Sequence, residues 1–392
     1  MLSEFFKRGI VEIIEENSFS NRLKTGKPMR IKMGFDPTRP DLHLGHAVGL
    51  WKLRDLQDAG NTIIFLIGDY TTKIGDPSGR NTTRPILTDQ EIKANAKTYF
   101  EQVSKILDIK KAEIRYNSEW FAKMNFADLL QLAGKFTVAQ IIERNDFEKR
   151  IKEHCDIGIH ELLYPLMQAY DSVVLEASVE MGGTDQKFNL MAGRDLQRKL
   201  GQEPQDIITV ELLIGTDGKE KMSKSLDNYI GLTEDAKSMF GKVMSIPDTL
   251  IDSYFQLATR LSDSEIKKVR TQIQAGANPR DAKMRLAYEI VKLYHLEKEA
   301  KEVQEEFINV FSKKELPADI PEVKIPRGNY ELPLLLQNIG AAESASEAKR
   351  LAEQGAVRID EAKISDWKAP IAINDGMLVQ VGKRKIYRIK IK

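Results

Sequence analysis

Over its first 215 or so residues the chain alternates short apolar segments with amphipathic helical ones, and few folds accept that alternation. Arg30 to Phe35, Thr62 to Ile67, Glu113 to Tyr116, a segment near Val179 and Ile207 to Val210 read as strands. Helical spacing fills the intervals, at about Leu44 to Ala59, Asp89 to Leu107, His160 to Val174 and Gln186 to Leu200. Strands joined through helices run parallel and are covered on both faces. Helical pattern over Phe126 to Lys152 interrupts the alternation as an insertion does, at about 118–160. The expectation is an α/β fold: a doubly wound, five-stranded parallel sheet of order 3-2-1-4-5, with its ligand crevice between strands 1 and 4.

At 392 residues, 42% of them apolar, the chain has room for further domains. From about Ile246 to Phe311 the pattern is helical only, with Met284, Ala287, Ile290, Val291 and Tyr294 at helical spacing. Pro317, Pro321 and Pro326 mark a connector. The remainder reads as a small α+β unit: a helix over Ala345 to Glu353, then strands at Val357 to Ile359, Met377 to Val381 and Lys385 to Ile391. The expected divisions are 1–225, an all-α domain over 226–315, a linker over 316–330 and the α+β domain over 331–392.

The net charge of +1 conceals a basic end, with Lys383, Arg384, Lys385, Arg388, Lys390 and Lys392 and no acid in the last twelve residues. Such a strip suits a polyanion, and a solvated tail explains it equally well. Cys155 is the single cysteine, so no intrachain disulfide can form and a reducing compartment is expected. Met1 to Lys7 lacks a signal-peptide core, and the longest purely apolar run, Ile63 to Ile67, is strand-sized. A cytoplasmic protein without a membrane partner is expected.

The chemistry concentrates in two stretches. His43-Leu44-Gly45-His46 opens a helix directly behind a strand, so two imidazoles share its first turn beside the partial positive charge of the helix end. They can hydrogen-bond phosphate oxygens, Gly45 leaves room for a planar base, and Thr38 offers a hydroxyl at the end of the preceding strand. A zinc pair is the other reading, but His154, His160 and His295 show no partner spacing, so no metal site is expected. Lys221-Met222-Ser223-Lys224-Ser225 lies in a loop after Gly215 and Gly218, where two ammonium groups can close over a developing pyrophosphate. Tyr164, Gln168 and Asp171, spaced i, i+4, i+7, can present one helix face to a ligand or simply rim a core.

Gly34-Phe35-Asp36-Pro37-Thr38 through His46, Gly75-Asp76-Pro77-Ser78-Gly79-Arg80, Leu163 through Asp171, Gly182-Gly183-Thr184-Asp185-Gln186 and Lys221 through Ser225 together closely resemble the class I tyrosyl-tRNA synthetases of bacteria. Glu347-Ala348-Lys349-Arg350-Leu351 and Gly355 to Asp360 resemble the S4 RNA-binding module. The resemblance implies a Rossmann-like catalytic domain, an anticodon-stem-binding helical domain and an S4-like domain. It implies tyrosine, ATP with Mg²⁺ and tRNA(Tyr) as substrates, no tightly bound cofactor, and a homodimer. It assigns catalysis to Thr38, His43, His46, Lys221 and Lys224, and ATP binding to Gly45, Asp185 and Ser225, with His46 and Asp185 at the ribose. Asp36, Asp76, Tyr164, Gln168, Asp171 and Gln186 would hold tyrosine: Asp76, Tyr164 and Gln168 at the ammonium, Gln186 near the carboxylate, Asp171 accepting the phenol.

One departure stands out. Many family members carry a tyrosine two residues before the glycine of Gly-Phe-Asp-Pro-Thr, as a second partner of the phenol. This chain has Lys32, which either donates to the phenolic oxygen or points elsewhere. Rival readings are a tryptophanyl-tRNA synthetase, a nucleotidylyltransferase of the same superfamily, and an RNA-binding protein whose motifs are catalytically silent.

Overall fold

Thr62–Ile67 is buried from Ile63 onward, so only a strand covered on both faces accommodates it. It is β3 of a six-stranded sheet with β1 (Ile10–Ile14), β2 (Arg30–Phe35), β4 (Ala112–Tyr116), β5 (Val179–Gly183) and β6 (Asp206–Val210). The computed structural model describes residues 4–78, 87–312, 320–360, 362–364, 366–382 and 385–392. Gly79, Arg80, Pro317, Lys383 and Arg384, named above, lie outside them. The chain divides into two compact units, Met1–Val303 and Gln304–Lys392.

In the first unit the spatial order is β1-β6-β5-β2-β3-β4. The five parallel strands follow the expected 3-2-1-4-5 order. The antiparallel β1, paired with β6, was not expected. Its sequence, Ile-Val-Glu-Ile-Ile, lacks clean alternation and stays partly exposed along the edge. β2 runs in register with β3 from Arg30↔Thr62 to Phe35↔Ile67, but pairs with β5 only at Ile31↔Val179 and Lys32↔Glu180. Beyond Lys32 the two strands part, and the crevice opens there, at the switch point of the sheet.

The insertion folds as short helices, Ser118–Phe121, Phe126–Ala133, Val138–Ile142 and Asn145–Lys152. Further along, the Pro279–Tyr294 helix buries Leu286, Ala287, Ile290, Val291 and Tyr294, while Met284 stays half-exposed. The helical region is tied to the Leu44–Asp58 helix: Trp51 Nε1 donates to Tyr294 Oη at 3.2 Å, and Arg260 forks onto Asp55. No helix among the described residues is long and apolar enough to cross a membrane.

In the second unit a five-stranded sheet and the helices Leu332–Asn338 and Ala345–Glu353 pack around Leu335, Leu336, Ala348, Val357, Val379 and Ile389. The stretch read as a connector contributes a strand. Glu322–Ile325 pairs in parallel with Lys385–Ile391 at the edge of this sheet. Pro321 and Pro326 flank the strand rather than interrupt it, so no ladder donor is lost.

Candidate active site

His43 is the N-cap of the Leu44–Asp58 helix, in extended backbone at the exit of the β2 loop. The chain that follows the lysine stretch is stitched to it. Leu44 N–H donates to Ile230 O at 3.0 Å, Leu232 N–H donates to Leu42 O at 2.9 Å, and His43 bridges Gly231. A Cβ built on Gly45 would lie 3.0 Å from His43 Nδ1 and 3.5 Å from Met222 Cβ. The two distant signatures therefore touch. A cleft of about 660 Å³ between β2 and β5 takes in every candidate residue: Asp36, Thr38, His43, Gly45, His46, Asp76, Tyr164, Gln168, Asp171, Asp185, Gln186, Lys221, Lys224 and Ser225.

At the mouth of this cleft the lysines rest on partners of the protein itself. Lys221 Nζ pairs with Asp185 Oδ2, and Lys224 Nζ donates to Arg39 O and to Tyr99 Oη, both at 3.0 Å. Burial, then Lys224, then Lys221, push the His43 pKa down to about 3. His46 is lowered well below its ordinary value by burial, His43 and both lysines. Both imidazoles are neutral at pH 7 and act as hydrogen-bonding groups, not cations. His46 Nδ1 accepts from His43 N–H at 3.2 Å, which puts its proton on Nε2. His43 Nδ1 is buried with no hydrogen-bond partner among the described residues.

Asn228 shapes the lysine loop. Its Oδ1 accepts Ser223 N–H at 2.7 Å, and its Nδ2 donates to Asp217 Oδ2 at 3.0 Å and to Lys221 O at 3.2 Å. Ser225 is exposed and shares a hydrogen bond with the Ser223 hydroxyl.

The inner end of the cleft is polar and closed. Tyr164 Oη donates to Asp36 Oδ2 at 2.9 Å, and Thr71 Oγ1 donates to Asp36 Oδ1 at 2.9 Å. Gln186 Nε2 donates to Asp76 Oδ2 at 2.7 Å, so those two candidates support each other. Arg144, from the insertion, braces the same loop through Ser78 Oγ at 2.9 Å. Asp171 is 3% exposed, with Trp120 Nε1 on Oδ1 at 2.9 Å and Asn117 Nδ2 on Oδ2 at 3.4 Å. Burial raises its pKa to about 7, against the pull of Lys32, Trp120 and Asn117. Lys32, fully buried, lies in the floor of the cleft, with its ammonium bound to Glu180 Oε1, Ser172 Oγ and Gln168 O.

Tyr99, Asn117, Trp120, Glu180 and Asn228 were missed in the sequence. Asn117 follows the carboxyl end of β4, where an open parallel sheet presents ligand groups, and that position was a usable signal. Tyr99 and Trp120 read as helix apolar positions, and nothing local distinguishes them from core.

The comparisons with known proteins follow this geometry. The family model for tRNA synthetases class I (W and Y) matches residues 24–312. The tyrosine–tRNA ligase of Thermotoga maritima is 51% identical over 387 residues, covering 98% of this chain and 96% of that protein. That of Carboxydothermus hydrogenoformans is 50% identical, covering 98% and 97%. Among solved structures, the tyrosyl-tRNA synthetase of Archaeoglobus fulgidus, complexed with L-tyrosine, is similar at TM-score 0.62 and 24% identity, over 76% of this chain and 98% of that one. A C-terminally truncated mitochondrial tyrosyl-tRNA synthetase of Aspergillus nidulans gives 0.64 at 24%, over 78% and 94%. These two likenesses concern the fold. With half of all residues identical along almost the whole length, the chain belongs to the tyrosine–tRNA ligases, a branch of the class I tRNA synthetases.

Proposed function

We propose that this protein activates tyrosine with ATP to tyrosyl-adenylate and pyrophosphate, then transfers the tyrosyl group to the 3′-terminal adenosine of tRNA(Tyr). The observation that carries the amino-acid choice is Asp171, a buried acceptor whose two oxygens are aimed by Trp120 and Asn117. A phenol satisfies such a carboxylate, and a ligand without the hydroxyl leaves it unpaired. Tryptophan also carries a donor, its indole N–H, and the identity with tyrosine–tRNA ligases along nearly the whole chain favours the phenol.

In the first step the tyrosine carboxylate, already ionised, attacks the α-phosphorus, and pyrophosphate leaves from the opposite side. No general base is needed, so the protein contributes position and charge. Asp76, Tyr164 and Gln168 hold the ammonium, with Asp36 behind Tyr164 and Gln186 behind Asp76. Thr38 and the N–H groups of neutral His43 and His46 face the phosphates, and the backbone at Gly45 faces the adenosine. Lys221 leaves Asp185 to the ribose, Lys224 leaves Tyr99, and both ammonium groups move onto the departing pyrophosphate; Ser225 travels with them. Mg²⁺ enters on the phosphates of ATP. In the second step a ribose hydroxyl of the tRNA attacks the acyl carbon and AMP leaves.

The helical region between 226 and 315 is assigned to the anticodon stem, and the unit that ends the chain to S4-like RNA binding. Support comes from Lys385, Arg388 and Lys390 on one strand, and from Trp367, flanked by Lys349 at 4.2 Å and Lys368 at 5.2 Å. Cations beside a half-buried aromatic ring suit phosphates and unstacked bases. A homodimer built on the insertion is supported by Phe126, Leu130 and Val138, which are 72%, 57% and 67% exposed. The cytoplasm is the compartment this reading implies.

ATP–pyrophosphate exchange with tyrosine, tryptophan and phenylalanine tests the assignment. Exchange with tyrosine alone is expected, and equal exchange with tryptophan would sink it. Removal of 313–392 should abolish tRNA charging and spare exchange; the cut precedes Glu322–Ile325 because that strand belongs to the second unit.

A further inference from the structure

Lys32 and Glu180 are Cα partners at the last paired position before β2 and β5 separate, in the floor of the cleft, and they are 0% and 1% exposed. All three ammonium protons of Lys32 are placed: on Glu180 Oε1 at 2.9 Å, Ser172 Oγ at 2.8 Å and the Gln168 backbone oxygen at 3.2 Å. Glu180 is equally saturated. Its Oε1 also accepts Gln168 Nε2 at 3.1 Å, and its Oε2 accepts Ser172 Oγ at 2.9 Å and Gln205 Nε2.

A carboxylate facing an ammonium can only accept. Gln168 must therefore turn its NH₂ toward Glu180, which leaves its amide oxygen for the cleft that the residue lines. Among the described residues that oxygen accepts no hydrogen bond, and it is the atom an ammonium needs. Turned over, the same amide would present N–H to a cation.

We infer that Lys32 and Glu180 are positioning residues for the ammonium of the amino acid: the buried pair locks the Gln168 amide with its oxygen toward the ligand, and Lys32 donates no hydrogen bond to the phenol. The inference rests on the cleft being the tyrosine site. It explains how a lysine occupies a position beside the phenol pocket without donating to it: every donor is committed within the floor.

The test uses the full chain with Glu180→Gln and, separately, Lys32→Met. Equilibrium binding is measured for tyrosine, phenylalanine and 3-(4-hydroxyphenyl)propanoate, which is tyrosine without its amino group. Glutamine at 180 can meet either end of the Gln168 amide, so the lock is released at constant volume. Tyrosine binding should weaken about tenfold. The deaminated ligand should bind as before, and the tyrosine-to-phenylalanine ratio should hold. Lys32→Met also removes a charge that holds the Asp171 pKa down, so for it the readout is the ratio of tyrosine to the deaminated ligand, both phenols, which should fall as in Glu180→Gln; if it does not fold, the isosteric variant carries the test. Three results would overturn the inference: a collapse of the tyrosine-to-phenylalanine ratio with the amino preference intact, equal losses for all three ligands, or no loss. An unmodified enzyme that bound the deaminated ligand as tightly as tyrosine would instead remove the site reading beneath it.

Discussion

At the inner end of the cleft Asp171, Glu180 and Lys32 are held by side chains on strands and helices, and each polar group meets more than one partner. At the mouth Lys221 and Lys224 ride an irregular loop, and each rests on a partner that it would release in the proposed reaction. The first arrangement suits discrimination, since a preorganised acceptor pays no ordering cost when the right ligand arrives. The second suits catalysis, since groups that act on the departing phosphates gain most by engaging late. In the proposed reaction one cleft thus combines a rigid reader with a hand that moves.

The largest expected effect breaks the comparison if it fails. Lys224→Ala should slow adenylate formation by about 10²–10³-fold in single-turnover measurements, with tyrosine affinity unchanged. Equal losses in both would mean that the mouth also shapes the reader. At the inner end, Asp171→Asn should cut the preference for tyrosine over phenylalanine by about 10- to 100-fold in exchange assays, with the ATP dependence unaltered. The pH response should follow the same residue. With a free-enzyme pKa near 7, Asp171 is a carboxylate above that pH and a protonated acid below it, and the phenol binds the carboxylate. Tyrosine affinity should therefore fall about tenfold from pH 8 to pH 6, with phenylalanine scarcely affected. A flat profile would place the discrimination elsewhere. The smallest effect concerns the loop. Asp227, just after the lysine stretch, sits at φ 52°, in the left-handed region. Asp227→Gly should add up to about 1 kcal/mol of stability, read as a small rise in Tm.

Much of this was legible because it is local or periodic. The strands Arg30–Phe35 and Thr62–Ile67 announce themselves by apolar runs of the right length, and the helix at Leu44 by what surrounds it. The strand order followed from the alternation and from the insertion that splits it into two halves, since parallel strands joined through helices have few ways to cover both faces. The edge strand Ile10–Ile14 and the strand between Pro321 and Pro326 escaped notice, because an edge is defined by the neighbour that it meets, not by its own pattern. In the site, the residues in dense motifs were found and the isolated ones were not. Tyr99 matters only because Lys224 folds back onto it, from 125 positions away.

The sequence by itself determined the layered α/β sheet, the place of its crevice and the motif residues that line it, because hydrophobic period and short polar motifs are properties of neighbouring residues. Only the tertiary structure decided what Lys32 does. Its role depends on Glu180, Ser172 and Gln168 arriving from another strand and helix, and a buried ammonium has no chemistry until the fold supplies its partners.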